Sequence, residues 1–237
     1  MIEFTAESMA EDALLLRFGD SIDPRINARV HAAAARLRAA ALPNVCDIAP
    51  AYASLLIRFD PAAWAGKEES PHARLSIAIE SILREVEDDG ATGIGWRVIE
   101  IPVCYGGGFG PDLEEAARHA QLDAREFAAR HAAGEYTVAM LGFAPGFPYL
   151  LGLDPALHVP RHATPRTRVP AGSVAIGGAQ TGIYPRELPG GWQIIGRTPS
   201  ILFDADREPP CLLAPGDRVR FRAIEIDEFA PLASRSA

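Results

Sequence analysis

Cysteine is scarce in this chain, and its spacing excludes the sites that cysteine usually builds. The 237 residues include Cys46, Cys104 and Cys211, and none of these belongs to a CxxC pair. An odd number of widely spaced cysteines predicts neither a disulfide framework nor a structural zinc site. We therefore expect all three to behave as small hydrophobic side chains in a reducing compartment.

Long apolar runs and an excess of positive charge are missing as well. No run approaches the roughly 20 apolar residues that a membrane-spanning helix needs, and the acidic N-terminus lacks the basic and apolar regions of a signal peptide. The net charge is -8, whereas a protein that binds nucleic acid is normally basic. We expect a cytoplasmic protein without a nucleic-acid or membrane partner.

The familiar catalytic signatures are also absent. The chain contains no GxSxG elbow, no HExxH motif and no other clear spacing of metal ligands, so no metal site is expected. Neither GxxxxGKS/T nor GxGxxG is present, which argues against a nucleotide site. No methionine is followed by lysine, as it would be at a biotin attachment site. Any nucleotide or biotin would therefore have to be held by another protein.

The first hundred residues are predicted to alternate between strands and helices. Two helices are indicated by an N-cap residue followed by proline, at Asp23-Pro24 and Ser70-Pro71, and by apolar residues every three or four positions. The second helix is predicted to end at Asp88-Asp89-Gly90. Strands are predicted at Leu14–Phe18, Val45–Ala49, Ser54–Phe59 and Trp96–Val103. This β-α-β-β-α-β order is typical of a ferredoxin-like domain, which we assign to residues 1–103 as a scaffold or docking unit.

The composition changes at Cys104, where a run rich in glycine predicts a hinge. Two capping boxes, beginning at Asp112 and Asp123, predict a pair of short helices, and we assign residues 104–135 to this connection. From residue 136 to residue 237, short β-forming runs alternate with loops rich in proline and glycine. This pattern is typical of a closed barrel or a sandwich with long functional loops, so the whole chain is predicted to be α+β.

The densest set of candidate site residues lies between Gly142 and Pro199. The only carboxylates there are Asp154 and Glu187, so no obvious general base or nucleophile is present and the catalytic residues stay unassigned. The loop at the start of this region combines aromatic residues with prolines and glycines. It predicts either a rigid wall for a small ligand or a packed plug at the barrel end. The aromatic candidates for ligand contact are Phe143, Phe147 and Trp192.

A basic segment within this acidic protein, residues 161–170, predicts an anion site. Arg166 and Arg168 lie two positions apart in an extended segment, so both are expected to project from one face. Two guanidinium groups on one face suit a carboxylate or a phosphate. The alternative is a pair of surface arginines in salt bridges. We interpret His158 and His162 as loop residues rather than as bases.

A second predicted contact region follows the paired glycines Gly177 and Gly178. Backbone N–H groups there, together with Gln180 and Thr181, can hold a carbonyl, an amide or a developing oxyanion. The alternative is that the glycines simply form a tight β-turn. The remaining candidate substrate-binding residues are Tyr184 and Arg197.

Several longer motifs carry a resemblance to a known family. The strings GFAPGFPYLLGLD, PRTRVPAGSVAIGGAQTGIYP, PGGWQIIGRTP and LLAPGDRVRF closely resemble the sporulation-kinase-inhibitor family, also called allophanate hydrolase subunit 1, and the glycine run YGGGFGPDL matches it too. The resemblance is specific from Gly142 to Phe221 and looser over the first ninety residues. It implies a cyclophilin-like β-barrel domain beside a small α/β domain. The family includes the B component of bacterial ATP-dependent 5-oxoprolinase, the member that this chain resembles most.

The resemblance implies that the chain works in a heteromeric complex and is inactive alone. The expected partners are a related C-type component, with which family members pair, and a third hydrolase component. Together they open 5-oxo-L-proline to L-glutamate at the expense of ATP. ATP is expected to bind to a partner, because this chain has no nucleotide motif. In this interpretation Arg166 and Arg168 hold the substrate carboxylate, while Gln180 and Thr181 contact the lactam.

Two alternative functions stay open at the level of the sequence. The first is carboxyl transfer from carboxybiotin to urea or another small amide, with biotin carried by a different protein. The second is inhibition of a sporulation histidine kinase by binding, without turnover. The polar groups between Gly142 and Pro199 count mildly against this second alternative, because a pure docking surface does not need them.

Overall fold

The computed structural model describes residues 3–66, 68–84 and 97–236 of the chain. The chain forms two compact units, Met1–Gly95 and Trp96–Ala237. The predicted helix end at Asp88-Asp89-Gly90 and the predicted strand start at Trp96 lie outside the described residues. None of the described helices combines the length and the apolar character that are needed to span a bilayer.

The first unit is a four-stranded antiparallel sheet with two helices. Its elements are β1 (Thr5–Ala10), β2 (Ala13–Arg17), α1 (Pro24–Ala40), β3 (Val45–Pro50), β4 (Ser54–Phe59), a 3-10 turn (Pro61–Trp64) and α2 (Pro71–Arg84), and the sheet order is β1-β2-β4-β3. Asp23 caps α1 as predicted, because its carboxylate accepts a hydrogen bond from the Arg25 N–H at 2.7 Å. The apolar stripes of α1 and α2 pack with β2 and β4 into one core.

The predicted βαββαβ order of this unit is not confirmed, because its fourth strand comes from a different part of the chain. The edge beside β2 is occupied by Thr5–Ala10, which is exposed along its whole length and has no apolar alternation to signal a strand. The run that was predicted to be this strand forms β5 (Val98–Tyr105) of the second unit. There Ile101 and Val103 are fully buried in the barrel core.

The second unit is built around a closed barrel of seven strands, which confirms the predicted barrel. The elements after β5 are α3 (Leu113–His119), α4 (Ala124–Ala133), β6 (Glu135–Leu141), β7 (Pro148–Leu151), a 3-10 turn (Pro155–Leu157), β8 (Arg166–Val169), β9 (Ser173–Gly177), β10 (Gln180–Ile183), β11 (Leu188–Gly190), β12 (Gln193–Arg197), β13 (Arg218–Ala223) and α5 (Ile226–Ser236). The strand order in the barrel is β10-β7-β6-β13-β5-β12-β9, and a separate two-stranded ribbon pairs β11 with β8. β5 and β13 are parallel, whereas the other neighbours round the barrel are antiparallel.

The glycine run after β5 is attached to the barrel and is not the predicted hinge. The N–H of Gly106 donates to the Ile195 carbonyl at 3.1 Å, and the N–H of Gly110 donates to the Gly106 carbonyl at 2.8 Å. A side chain at Gly110 would overlap the Ile195 carbonyl, so glycine is required by this close approach. The segment 104–135 therefore belongs to the second unit, and the boundary between the units falls at residue 95 rather than at residue 103.

One of the two predicted capping boxes is wrong, and this error concerns the site. Asp123 accepts a hydrogen bond from the Glu126 N–H at 2.7 Å and caps α4. Asp112 precedes α3, but its side chain makes no capping hydrogen bond. The carboxylate of Asp112 instead points towards β8 and β12.

Candidate active site in the barrel unit

The second unit contains a pocket of about 300 Å³. It is lined by the β6–β7 loop and β7, by the loop before β8, and by the segment from β10 to β12. The lining residues are Phe143, Phe147, Tyr149, Arg161, His162, Pro165, Tyr184, Pro189, Gly190, Gly191 and Trp192. A cavity of this size, lined by five aromatic side chains and a few polar groups, is typical of a small-molecule site.

The centre of the aromatic wall is Phe147, which is almost completely buried. Its ring meets Tyr184 edge to face, with 5.2 Å between ring centroids, and meets Trp192 edge to face at 5.7 Å. Tyr149 lies 4.9 Å from Phe147 and 5.9 Å from Trp192. Edge-to-face pairs at these distances are favourable beyond the area that they bury, so the four rings form a fixed surface. This wall joins residues from segments that are far apart in sequence.

Phe143 forms the rim of the pocket in an unusual backbone conformation. Its φ angle is +66°, a region that L-residues with large side chains rarely occupy, and its side chain is 60% exposed. The ring still contacts Phe147 at 5.4 Å and Tyr184 at 6.4 Å. The loop is held by hydrogen bonds from the Ala144 N–H to the Gly142 carbonyl at 2.7 Å and from the Phe147 N–H to the Ala144 carbonyl at 3.0 Å. Backbone strain of this kind is concentrated at ligand sites in proteins.

Arg161 brings a positive charge to the pocket. Its guanidinium lies over the Trp192 ring, 5.4 Å from the ring centroid, and its Nη2 lies 3.4 Å from Gln180 Oε1. Burial raises the pKa of both the Tyr149 and the Tyr184 phenols, and the charge of Arg161 opposes that rise at both groups. The guanidinium therefore acts electrostatically on the hydroxyl groups of the pocket.

A buried carboxylate, Asp112, supports one side of the pocket. Arg166 donates to it from both terminal nitrogens, the Ile194 N–H donates at 2.7 Å, and His162 Nε2 lies 3.2 Å away. Burial by itself raises the pKa of Asp112, but these hydrogen bonds outweigh burial and hold the pKa below its usual value. His162 lines the pocket, and its Nε2 also lies 2.8 Å from Arg166 Nη1. The cluster fixes the position of this imidazole.

The two arginines that were expected to act together lie in different environments. Arg166 is paired with Asp112, whereas Arg168 is 80% exposed and lies 3.5 Å from Glu187. Neither lines the pocket, so the structure does not bring them together as a pair facing it. Arg197 donates from Nε to the Ala171 carbonyl at 2.7 Å and also lies outside the pocket.

The candidate Thr181 belongs to a hydrogen-bonded chain inside the barrel rather than to the pocket. The Tyr105 hydroxyl oxygen lies 2.8 Å from His131 Nδ1, and His131 Nε2 lies 3.0 Å from Thr181 Oγ1. Thr181 in turn donates to the Ala175 carbonyl at 3.0 Å, so it accepts from Nε2–H while the Tyr105 hydroxyl donates to Nδ1. His131 is completely buried, which lowers its pKa to about 3 and keeps the ring neutral. The threonine hydroxyl is thereby directed into the core.

Known proteins resemble this chain along most of its length. Residues 4–213 match the family described as carboxyltransferase domain, subdomains C and D. The chain belongs to this family. It is 42% identical over 233 residues to the B component of 5-oxoprolinase from Bacillus subtilis (strain 168), with 96% of each chain covered. It is also 46% identical over 180 residues to the B component of 5-oxoprolinase from Escherichia coli O157:H7, covering 76% of this chain and 78% of that one.

Solved structures that resemble this family member include larger chains. The crystal structure of TTHA0988 is 39% identical and superposes with a TM-score of 0.76, covering 90% of this chain but 40% of that chain. PH0987 from Pyrococcus horikoshii is 39% identical with a TM-score of 0.55, covering 95% of this chain and 100% of that one. The urea carboxylase of Kluyveromyces lactis shares the fold at 19% identity and a TM-score of 0.74, covering 98% of this chain and 23% of that one.

The structure of this family member brings four aromatic candidates together and adds residues that sequence reasoning missed. The predicted pocket residues Phe143, Phe147, Tyr184 and Trp192 all line it. Arg161, Tyr149 and His162 also line it. Asp112 does not line the pocket but contacts His162, which does. Arg161 and His162 stand in the basic segment already singled out, whereas the local pattern at Asp112 indicated only a helix cap. Within the described residues, no group of three or more histidine, cysteine, aspartate or glutamate side chains could hold a metal ion.

Proposed function

We propose that this chain is the B component of an ATP-dependent 5-oxoprolinase complex and that the barrel pocket holds the lactam substrate. The names of its relatives, at 42% and 46% identity, support a role in such a complex. The pocket is assigned to the substrate because the guanidinium of Arg161 lies against a rigid aromatic wall there. The substrate has a small ring, which can pack on the aromatic wall, and a carboxylate, which can pair with the guanidinium.

The chemistry divides between this chain and its partners. Transfer of the terminal phosphoryl group of ATP to the lactam oxygen releases ADP and activates the amide carbon. A first water adds to that carbon and the C–N bond breaks, which leaves an acyl phosphate and a free amine. A second water then displaces phosphate from the acyl group and yields L-glutamate. The residues of this chain bind and orient the lactam and exclude water from its ring face. The nucleotide, and with it the activation step, belongs to a partner, because this chain carries no nucleotide motif.

The partners in this proposal are a C-type component and a third hydrolase component, acting in the cytoplasm. The barrel domain is proposed to be of the cyclophilin-like type. A cyclophilin-like fold does not imply prolyl isomerisation, because a fold by itself does not specify an activity.

The test is 5-oxoproline-dependent release of phosphate from ATP by this chain, first alone and then in the complex that co-purifies with it. We expect activity only in the assembled complex, with one glutamate formed for each phosphate released. The matched control is the same mixture without this chain. An intact complex that hydrolyses no ATP in response to 5-oxoproline would exclude the proposal.

A second candidate is carboxyl transfer to urea or a related amide. It is favoured by the family description and by the fold shared with the K. lactis urea carboxylase. In that case a biotin-carrying protein must deliver the carboxyl group, since this chain has no attachment site. Supplying carboxybiotin and urea to the complex distinguishes the two, because a 5-oxoprolinase would leave the carboxybiotin intact.

A further inference from the structure

We propose that Arg161 binds the substrate carboxylate, with the lactam ring lying against Trp192 and Phe147. This inference rests on the proposed function for the identity of the substrate. It assigns the carboxylate to a residue outside the Arg166 and Arg168 pair that the sequence favoured.

The position of the Arg161 guanidinium leaves its charge available to a ligand carboxylate. The Cζ of Arg161 lies over the Trp192 ring, 5.4 Å from its centroid, and among the described residues no carboxylate lies within salt-bridge distance of the guanidinium. Its Nη2 donates to the neutral Gln180 Oε1 at 3.4 Å, which leaves the positive charge without a counter-charge there. The planar guanidinium fork matches the two oxygens of a carboxylate. The side chain is exposed at the pocket, so a ligand can reach it.

The other candidate arginines contact other groups outside the pocket. Arg166 gives both terminal nitrogens to Asp112, and Arg168 faces Glu187 outside the pocket. Arg197 donates to the Ala171 carbonyl. None of these three lines the pocket, whereas Arg161 does.

The groups around the Arg161 guanidinium are uncharged aromatic side chains with room beside them. Two phenols, Tyr149 and Tyr184, share the pocket with Arg161, and burial raises the pKa of both. They therefore stay protonated near neutral pH and add no negative charge beside the guanidinium. A cavity of about 300 Å³ has room for a five-membered ring and its carboxylate. The pocket thus matches a carboxylated lactam better than it matches a neutral amide.

The experiment compares 5-oxo-L-proline with 2-pyrrolidinone, which is the same ring without the carboxylate. Binding to the full chain is measured by calorimetry, and the KM and kcat for 5-oxoproline are measured in the assembled complex. We expect the unmodified chain to bind 5-oxoproline at least about tenfold more tightly than 2-pyrrolidinone. Arg161→Gln should remove that difference and raise the KM about tenfold or more, because a charge-assisted hydrogen bond is lost. Arg161→Lys should restore part of the difference.

The control is Arg125→Gln, which makes the same chemical change on the exposed surface of α4 and should leave KM and binding unchanged. The inference is overturned if Arg161→Gln keeps the discrimination and the KM of the unmodified protein, or if Arg168→Gln is the variant that loses them. If the chain alone binds neither ligand, the KM values of an active complex decide. If the assembled complex shows no 5-oxoproline-dependent activity, the proposed function is wrong and this inference fails with it.

Discussion

Arg166 places both terminal nitrogens on the carboxylate of Asp112, with Nη2 2.6 Å from Oδ1 and Nη1 2.8 Å from Oδ2. The two residues are 54 positions apart in sequence. The N–H of Ile194 in β12 donates to the same carboxylate at 2.7 Å. One buried carboxylate therefore holds the start of α3, β8 and β12 together beside the pocket.

Replacing Asp112 with Asn should lower the free energy of unfolding by about 2–4 kcal/mol. The variant leaves the half-buried Arg166 without a counter-charge, and breaking such a pair from one side is costly. The measurement is urea unfolding followed by tryptophan fluorescence. Glu135→Gln, in an exposed ion pair with Arg220, is the control and should cost less than about 1 kcal/mol. Equal losses in the two variants would contradict a supporting role for Asp112.

Stability should fall as the pH falls from about 6.5 towards 3, through the burial of His131. Its pKa is about 3 in the folded chain against an ordinary value of 6.5, so in this window the unfolded chain binds more protons than the folded chain does. The contribution is at most about 1.4 kcal/mol per pH unit and is fully present above pH 6.5. Unfolding free energies between pH 4.5 and 7 measure it.

The matched variant for this pH effect is His131→Gln, which cannot titrate. Its unfolding free energy should vary less steeply between pH 4.5 and 6.5 than that of the unmodified protein. Asp112 adds a loss of the same sign, but only near and below its ordinary pKa of 3.8, because its folded pKa is lowered. Identical slopes in the two proteins would show that His131 is not held neutral.

The adjacent glycines Gly190 and Gly191 should respond differently to alanine. A Cβ on Gly190 would overlap the Tyr184 hydroxyl and lie 2.8 Å from its Cζ, whereas a Cβ on Gly191 would meet Pro165 at an ordinary 3.5 Å. We expect Gly190→Ala to lower the free energy of unfolding by about 1–3 kcal/mol, because Tyr184 is packed against Phe147 and has little room to move. Gly191→Ala should cost far less. Thermal unfolding of both variants is the measurement, and a reversed order would argue against this packing.

At position 143, a glycine variant should be more stable than an alanine variant, which reverses the usual order. Because its φ is +66°, Phe143→Gly relieves strain that Phe143→Ala retains. We therefore expect the glycine variant to be more stable than the alanine variant by about 1 kcal/mol, although glycine normally costs more chain entropy on folding. Chemical unfolding of both variants tests this. An alanine variant that equals or exceeds the glycine variant in stability would show that the loop relaxes freely.

Much of the fold could be predicted from local patterns, but not which strands pair. The apolar stripe and N-cap at Asp23 correctly indicated α1. The alternation of short strands with loops indicated a closed barrel or a sandwich, the family resemblance implied the barrel, and the structure has a closed barrel. The strand Val98–Tyr105 was recognised as a strand but assigned to the wrong sheet. Its parallel partner, Arg218–Ala223, lies more than a hundred residues away. A short stretch of sequence therefore does not contain the information that these two strands pair.

The sequence alone determined the aromatic character of the site, its family resemblance and the absence of the common nucleophile and nucleotide motifs. These properties depend on residue types and short spacings, which are visible without coordinates. Only the tertiary structure decided which charged groups meet, because such contacts join distant segments. It paired Asp112 with Arg166, turned Thr181 into the barrel core and left Arg161 on the face of Trp192. Whether a charged side chain faces a ligand or a counter-ion is decided by long-range packing, and local sequence does not contain that information.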